Sequence, residues 1–329
     1  MTGTAIQIKS PFPWFGGKLP VASLVWERLG NVPNFVEPFF GSGAVLLNRP
    51  HAPKIETIND KDGFLSNFWR AVQADPDGVT QHADWPVNEN DLHARHSWLV
   101  AHKDKLQAQV EGDPDYYDAK IAGWWVWGIC SWIGSGWCSG NGPWQSVDGL
   151  LVNTTEAGRG VKRQRTHLGN AGQGINRKRP HLMSSKGINR ANTHLGNVFA
   201  ELQDRLRNVR VCCGDWTRVL GDSPTSKLGV TGVFLDPPYS HSVRDATLYR
   251  QEMEIATAVR DYCIERGDDP NMRIALCGYE GEHTMPENWD CIPWKAKGGY
   301  GSQGEGAGKA NAHRERIWFS PYCLKTELF

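Results

Sequence analysis

The stretch from Asn34 to Leu47, NFVEPFFGSGAVLL, decides the fold. Residues 34–37 form a short apolar run that predicts a strand, and Pro38 ends it. Two glycines then allow a tight turn, and residues 44–47 begin an apolar helix. A strand, a turn and a helix in this order are typical of the first unit of a parallel α/β sheet. Glycines in such a turn also let the backbone approach a ligand closely.

The flanking segments continue the alternation of strands and helices. Predicted strands cover residues 55–58, 209–213, 232–235, 273–277 and 314–319, and predicted helices cover residues 21–29, 63–74, 199–206 and 253–266. Strands alternating with helices indicate a parallel sheet with helices on both faces. The pattern is interrupted between residues 76 and 197. We therefore expect one α/β domain made of residues 1–75 and 198–329, with an insertion at 76–197.

The first part of this insertion is helical and rich in tryptophan. Helices are predicted over residues 91–109 and 116–133, and six of the fifteen tryptophans fall between Trp124 and Trp144. Aromatic bulk usually fills protein interiors. A helix buried against a core is therefore favoured over a surface that stacks on bases.

The second part of the insertion, residues 158–197, is a basic repeat segment. Residues 157–200 contain no acidic residue and nine basic ones, although the formal net charge of the chain is zero. Three copies of a Gly-led unit each place a histidine seven residues after the glycine. A disordered polar insert is the alternative to short ordered loops. The residues expected to bind DNA phosphates are Lys162, Arg163, Arg165, Arg177, Lys178, Arg179, Lys186 and Arg190.

The strongest chemical signal is Asp236-Pro237-Pro238-Tyr239, which follows the apolar run at residues 232–235. Ligands of open α/β sheets bind at the carboxyl ends of strands. The two prolines fix the backbone and remove two N–H donors. The turn therefore presents carbonyl oxygens, a carboxylate and an aromatic ring in a rigid frame. A planar base with an exocyclic amine requires such a set of acceptors.

A nucleoside site is indicated by the glycine turn together with Asp60, which ends the next predicted strand 19 residues after Gly41. An acidic residue at about that spacing typically binds ribose hydroxyls. Leu46 stands where the dinucleotide fingerprint has its third glycine, which argues for a smaller nucleoside. Near the N-terminus, Lys18 ends a Gly-Gly-Lys turn that can hold a carboxylate by its charge.

Other sequence features exclude several classes of protein. No apolar run approaches the roughly 20 residues needed to cross a bilayer, so we expect no membrane association. The N-terminus lacks the pattern of a secretory signal. The eight cysteines form no C-x-x-C pair, so we expect reduced thiols and no metal site.

Five motifs follow one another along the chain: W-F-G-G-K, V-E-P-F-F-G-S-G, N-D, G-D-W and D-P-P-Y. As an ordered set they resemble the Dam-type DNA adenine-N6 methyltransferase family, over residues 11–75 and 198–322. The resemblance implies a Rossmann-like domain that binds S-adenosylmethionine, with target recognition in the insertion. The cofactor-binding residues that it implies are Trp14, Gly17, Lys18, Glu37, Pro38, Phe39, Gly41, Ser42, Gly43, Asp60, Asp215, Trp216 and Asp236. The implied catalytic residues, which would hold the target base, are Asp236, Pro237, Pro238 and Tyr239. Residues 278–280 and 314–318 resemble later segments of the family with supportive roles.

The resemblance further implies double-stranded DNA as substrate and a cytoplasmic location in a bacterium or a phage-infected cell. Within the insertion, the repeats and the tryptophan cluster match no recognition domain that would give the target sequence. N4 of cytosine is also an exocyclic amine, although members that act on cytosine more often have Ser in place of Asp236. A DNA-binding protein that retains a non-catalytic methyltransferase shell, and an RNA substrate, are the remaining alternatives. Monomer and dimer stay equally open.

Overall fold

A computed structural model of the chain describes residues 8–14, 16–132, 137–138, 144–147, 150–153, 195–239, 246–294 and 313–325. The chain divides into two compact units. The first consists of Met1–Ser10, Trp14–Lys61 and Asn208–Phe329, and the second of Pro11–Pro13 and Asp62–Arg207. Within the described residues, no helix is both long and apolar enough to cross a membrane.

The first unit is built on a seven-stranded sheet. Its strands are β1 (Asn34–Glu37), β2 (Ile55–Asp60), β5 (Val209–Cys213), β6 (Thr231–Leu235), β7 (Met272–Tyr279), β8 (Asp290–Pro293) and β9 (Glu315–Phe319), and its helices are α1 (Ala22–Leu29), α2 (Ala44–Leu47) and α9 (Ala246–Arg266). The strand order is β5-β2-β1-β6-β7-β9-β8. The first five of these run parallel, and β9 is antiparallel to both of its neighbours. The predicted α/β class is confirmed.

Successive side chains of a strand point to opposite faces of the sheet, and helices pack on both of these faces. On one face Phe35 packs against Trp26 of α1, with ring centroids 4.7 Å apart. On the other face Val36 belongs to an apolar cluster with Val259 and Cys263 of α9. Helix α1 ends at Gly30, whose φ of 68° lies in the left-handed region that favours glycine.

The second unit contains helices α3 (Gly63–Ala74), α4 (Pro76–Ala83), α5 (Glu89–Ala101), α6 (Lys103–Gly112), α7 (Ala119–Ser131) and α8 (Leu195–Leu206). It also contains an antiparallel hairpin of β3 (Trp144–Val147) and β4 (Leu150–Asn153). Phe68 of α3 packs against Trp125 of α7 and Phe199 of α8, at centroid distances of 5.8 and 5.9 Å. These contacts place α3 and α8 in the second unit, whereas the predicted division put residues up to 75, and from 198 onward, in the α/β domain.

Two predicted features of the second unit, the helix over residues 91–109 and the buried tryptophan helix, can be compared with the structure. The single helix predicted over residues 91–109 is wrong, because α5 ends at Ala101 and α6 begins at Lys103. Between them, the ring Nδ1 of His102 lies 2.7 Å from the carbonyl oxygen of Trp98, and the two rings stack. A buried tryptophan helix is confirmed for Trp125 and Trp127, which are 2% and 0% exposed.

Candidate active site

The candidate site lies where β1 and β6 run side by side. From β1 the chain continues to β2 and β5 on one side, whereas β6 is followed by β7 on the other. The order therefore reverses between β1 and β6, and ligands of open α/β sheets bind beyond the strand ends at such a switch point. The glycine turn follows β1 and the Asp-Pro-Pro-Tyr turn follows β6, so both predicted motifs end at this edge.

The glycine turn, residues 38–43, is fixed by hydrogen bonds to the ends of neighbouring strands. The Phe40 N–H donates to the carbonyl oxygen of Asn59 at 3.0 Å. The side-chain amide of Asn59 donates to the carbonyl oxygens of Pro38 and Gly214, at 3.1 and 3.0 Å. One buried side chain therefore joins the ends of β1, β2 and β5.

Gly41 is a residue of this turn that requires the absence of a side chain. Its φ is 50°, and an added Cβ would lie 2.6 Å from Nε1 of the Trp14 indole. The Gly41 N–H donates to Oδ2 of Asp60 at 3.0 Å. The structure thus brings three predicted site residues, Trp14, Gly41 and Asp60, into contact.

Glu37 is 2% exposed and sits at the other end of the same turn. Its Oε2 accepts a hydrogen bond from the Leu46 N–H at 3.3 Å. A carboxylate is stabilised near the first N–H groups of a helix. Glu37 therefore anchors the turn to α2, while Gly43 begins that helix with a φ of 69°.

Residues 215 and 216 contribute an aromatic wall beyond β5. The ring of Trp216 stacks on Phe39 of the glycine turn, with centroids 6.2 Å apart and planes 28° from parallel. The ring of Tyr262 of α9 contacts the Trp216 ring edge-on, with centroids 5.9 Å apart. Hydrogen bonds from the Thr217 hydroxyl and N–H, at 2.6 and 3.0 Å, lower the pKa of the exposed Asp215 carboxyl.

Asp236 follows a fully buried strand and forms an ion pair with Lys18, Nζ to Oδ2 at 2.8 Å. The Lys18 side chain is 5% exposed and that of Asp236 is 21% exposed. Burial alone would lower the pKa of Lys18, but the charge of Asp236 and of other nearby acids outweighs burial and raises it. The ammonium is therefore charged, and it fixes the catalytic candidate Asp236 at the strand end.

Tyr239 lies beside this ion pair. The Lys18 ammonium is 5.0 Å from the centre of the Tyr239 ring, which contacts Tyr279 edge-on at 4.7 Å. The hydroxyl of Tyr239 is buried, and burial together with the charge of Asp236 raises its pKa well above the usual value. Tyr239 is therefore a neutral phenol whose hydroxyl points into the protein.

Two residues of this site were not predicted as site residues from the sequence. Glu315, 6% exposed, begins β9 opposite Tyr279, whose ring contacts that of Tyr239. The Trp294 ring lies 5.7 Å from the Lys18 ammonium. Glu315 falls in the segment 314–318 that resembled the family, which was a usable signal. Nothing in the sequence around Trp294 distinguishes it.

The structure brings most of the predicted cofactor and base residues to one edge of the sheet. The predicted DNA-binding residues, Lys162 to Arg190, lie outside the described part of the chain. None of the eight cysteines, all of which lie in the described part of the chain, forms a disulfide, and six of them are buried.

Residues 14–112 match the model of a protein family described as D12 class N6 adenine-specific DNA methyltransferase. This part of the chain is similar to D12 class methyltransferases. The match begins at Trp14 and includes the glycine turn and Asp60, so the resemblance that the motifs indicated is confirmed. The chain is also 34% identical over 65 residues to a DNA N-6-adenine-methyltransferase of Escherichia phage P1. That alignment covers 20% of this chain and 8% of the phage protein.

Proposed function

We propose that this protein is a site-specific DNA methyltransferase that transfers a methyl group from S-adenosylmethionine to N6 of adenine. The observation that carries the proposal is the meeting of two motifs at one switch point. The glycine turn, predicted to bind a nucleoside, follows β1, and the Asp236 turn, predicted to bind an amine, follows the adjacent parallel strand β6. The similarity of residues 14–112 to the D12 class supports the same chemistry.

The residues around the glycine turn fit S-adenosylmethionine. At Gly41 the absence of a side chain lets the Trp14 indole pack directly on the backbone of the turn. Asp60 at the end of β2 would bind the ribose hydroxyls, and the Phe39–Trp216 wall with Asp215 would hold the adenine ring. Lys18, whose buried ammonium lies at the same edge, would attract the methionine carboxylate by its charge. The cofactor supplies an electrophilic methyl group.

The Asp236 turn would bind the target adenine. Stacking in a duplex hides N6, so the base has to be turned out into this pocket. The carboxylate of Asp236 and the carbonyl oxygen of Pro237 would each accept one hydrogen of the amine, and the Tyr239 ring would stack on the base. These contacts orient the nitrogen lone pair. The carboxylate of Asp236, which pairs with the Lys18 ammonium, is also the adjacent group that would take up the proton released after transfer.

Orientation is the main catalytic contribution in this proposal. Holding two reactants in a reactive geometry can lower a barrier by roughly 7–11 kcal/mol. No covalent link to the enzyme is needed, because the amine attacks directly. The neighbouring cysteine Cys277 fits this description, since burial raises the pKa of its thiol well above the usual value and keeps it un-ionised.

We assign DNA binding to the second unit and to the basic segment 158–197. The eight basic residues from Lys162 to Arg190 carry positive charge without any acid among them. If about five or six of them contact phosphates, the logarithm of DNA affinity falls with the logarithm of salt concentration at a slope of roughly −5. The residues 1–75 and 198–329, predicted as the catalytic domain, would carry the chemistry.

The direct test is incubation of the protein with labelled S-adenosylmethionine and mixed DNA, followed by nucleoside analysis. We expect N6-methyldeoxyadenosine, and sequencing of the marked positions gives the recognition site. Label in N4-methyldeoxycytidine would move the substrate to cytosine, and label in RNA alone would replace DNA. Absence of label in every nucleoside, with the protein folded and cofactor bound, would contradict the proposal.

A further inference from the structure

A cavity lies beside the sheet of the first unit, where the edge strand β5 runs parallel to β2. Its volume is about 290 Å³. Thr57 of β2 and Arg210 of β5, which are partners in the strand pairing, both line it. Thr57 precedes Asp60, the last residue of β2, by three residues, about 10 Å along the strand. The cavity is therefore set back from the edge at which the candidate active site lies.

Another part of the lining comes from the segment 218–224, which hydrogen bonds hold in place. The Arg218 guanidinium donates through Nη1 to the carbonyl oxygen of Cys213, at the end of β5. The side-chain amide of Asn34 donates to the carbonyl oxygen of Pro224 at 2.8 Å. Both ends of the segment are thus tied to the sheet, and the cavity exists before any ligand arrives.

The charged residues that line the cavity are two arginines, Arg210 and Arg218, and both are exposed. Neither guanidinium forms an ion pair with a residue that the structure describes, and none of the described lining residues is acidic. Asp222, next to the lining residue Ser223, pairs instead with Arg266 at 2.9 Å. Two like charges beside one cavity repel each other, and an anion in the cavity would offset this repulsion.

The hydroxyl of Thr57 points to a ligand independently of these charges. The residue is 1% exposed, and its Oγ1 has no hydrogen-bond partner in the described part of the chain. Buried hydroxyls are nearly always hydrogen-bonded, because an unpaired one is unfavourable. Ser223 brings a second hydroxyl to the same cavity. A ligand rich in acceptor oxygens would satisfy both hydroxyls.

We propose that this cavity binds a phosphate group, with Arg210 and Arg218 as its cations and Thr57 and Ser223 as hydroxyl donors. Guanidinium groups bind phosphate oxygens through paired hydrogen bonds, and a tetrahedral phosphate offers more acceptor oxygens than a carboxylate does. The volume lies at the lower limit of the roughly 300–1,000 Å³ of small-molecule sites. The cavity therefore takes the phosphate and little of the molecule that carries it. The carrier is a DNA backbone or a small phosphorylated compound.

The test is a titration of the full chain with inorganic phosphate, followed by phosphorus NMR at constant ionic strength. Arg210→Gln and Thr57→Val are compared with the wild type and with Lys54→Gln, which loses the same charge from an exposed position of the same unit. We expect saturable binding in the wild type and in Lys54→Gln. The affinity should fall about tenfold in Arg210→Gln and in Thr57→Val, because each loses a hydrogen bond to a charged group.

A stability measurement separates ligand binding from a structural role of the same residues. Thr57→Val removes an unpaired hydroxyl, so its urea midpoint without phosphate should be unchanged or higher. Added phosphate should raise the midpoint of the wild type more than that of either site variant. If Thr57→Val does not fold, Arg210→Gln still decides the comparison, because its exposed side chain has no ion pair to lose within the described residues.

Ribose 5-phosphate and a DNA duplex distinguish the two carriers. If the carrier is DNA, phosphate competes with the duplex, and Arg210→Gln lowers the salt slope of DNA binding by about 1. If the carrier is a small compound, ribose 5-phosphate binds at least as tightly as inorganic phosphate, and Arg210→Gln binds the duplex as Lys54→Gln does. Either result supports the phosphate site, and neither measurement requires methyl transfer.

Three results would overturn the proposal. The first is a wild-type protein that shows no saturable binding of phosphate. The second is an equal phosphate affinity in Arg210→Gln and Lys54→Gln. The third is binding of inorganic phosphate without binding of ribose 5-phosphate and without competition against the duplex, which would mean an adventitious ion only.

Discussion

Replacing Gly41 with alanine tests the glycine turn at a position where both the backbone angle and a close contact exclude a side chain. The residue has a φ of 50°, and the left-handed region costs a non-glycine residue roughly 1–2 kcal/mol. The new Cβ would also lie 2.6 Å from Nε1 and 3.1 Å from Cδ1 of Trp14. Overpacking costs about 1–3 kcal/mol, and the half-buried indole can move outward, which favours the lower values. We expect a total loss of about 2–4 kcal/mol.

The assay is urea unfolding of Gly41→Ala beside a matched control. Gly281 has a φ of 81°, and an added Cβ there meets nothing within 4 Å. Gly281→Ala therefore reports the backbone cost alone, about 1–2 kcal/mol. The double variant with Trp14→Ala should show a smaller additional loss at Gly41, since the overlap is gone. Equal losses for Gly41→Ala and Gly281→Ala would refute the contact between the turn and Trp14.

Three further substitutions test other parts of the first unit. Glu56→Gln removes the carboxylate that pairs with the buried Arg49 guanidinium, N to O at 3.2 Å, and should lower the free energy of unfolding by about 3 kcal/mol. A loss under about 1 kcal/mol would mean that the pair is not buried. Trp216→Ala removes the ring stacked on Phe39 and should weaken binding of S-adenosylhomocysteine about tenfold by calorimetry, whereas unchanged affinity would remove this wall from the cofactor site. Asp236→Asn should reduce methyl transfer at least about 100-fold with cofactor affinity kept, and near-normal turnover would exclude its carboxylate from the mechanism.

Much of the sheet could be predicted from local sequence. The strands at residues 34–37 and 209–213 were predicted at their observed bounds, because short apolar runs flanked by turn residues carry a strong local signal. β8 was not predicted, since Asp290–Pro293 is largely exposed and ends in proline. It becomes a strand through pairing with β9, which no local pattern encodes.

The site was predictable as two turns but not as one charge network. The glycine turn and the Asp236 turn each have a local signature, and their adjacency follows from parallel strand order. The ion pair between Lys18 and Asp236 joins residues more than 200 positions apart, and Glu315, opposite Tyr279, belongs to a third segment. The pairing of Lys18 with Asp236 could not be predicted, because a long-range partner leaves no local pattern.

The most direct test of the central claim is a crystal structure of the protein with S-adenosylhomocysteine. The account predicts the nucleoside between Asp60 and the Phe39–Trp216 wall, with the sulfur directed toward Asp236 and open space for a base between them. An analogue bound elsewhere, or bound with its sulfur turned away from Asp236, would contradict the assignment of these two turns to one reaction.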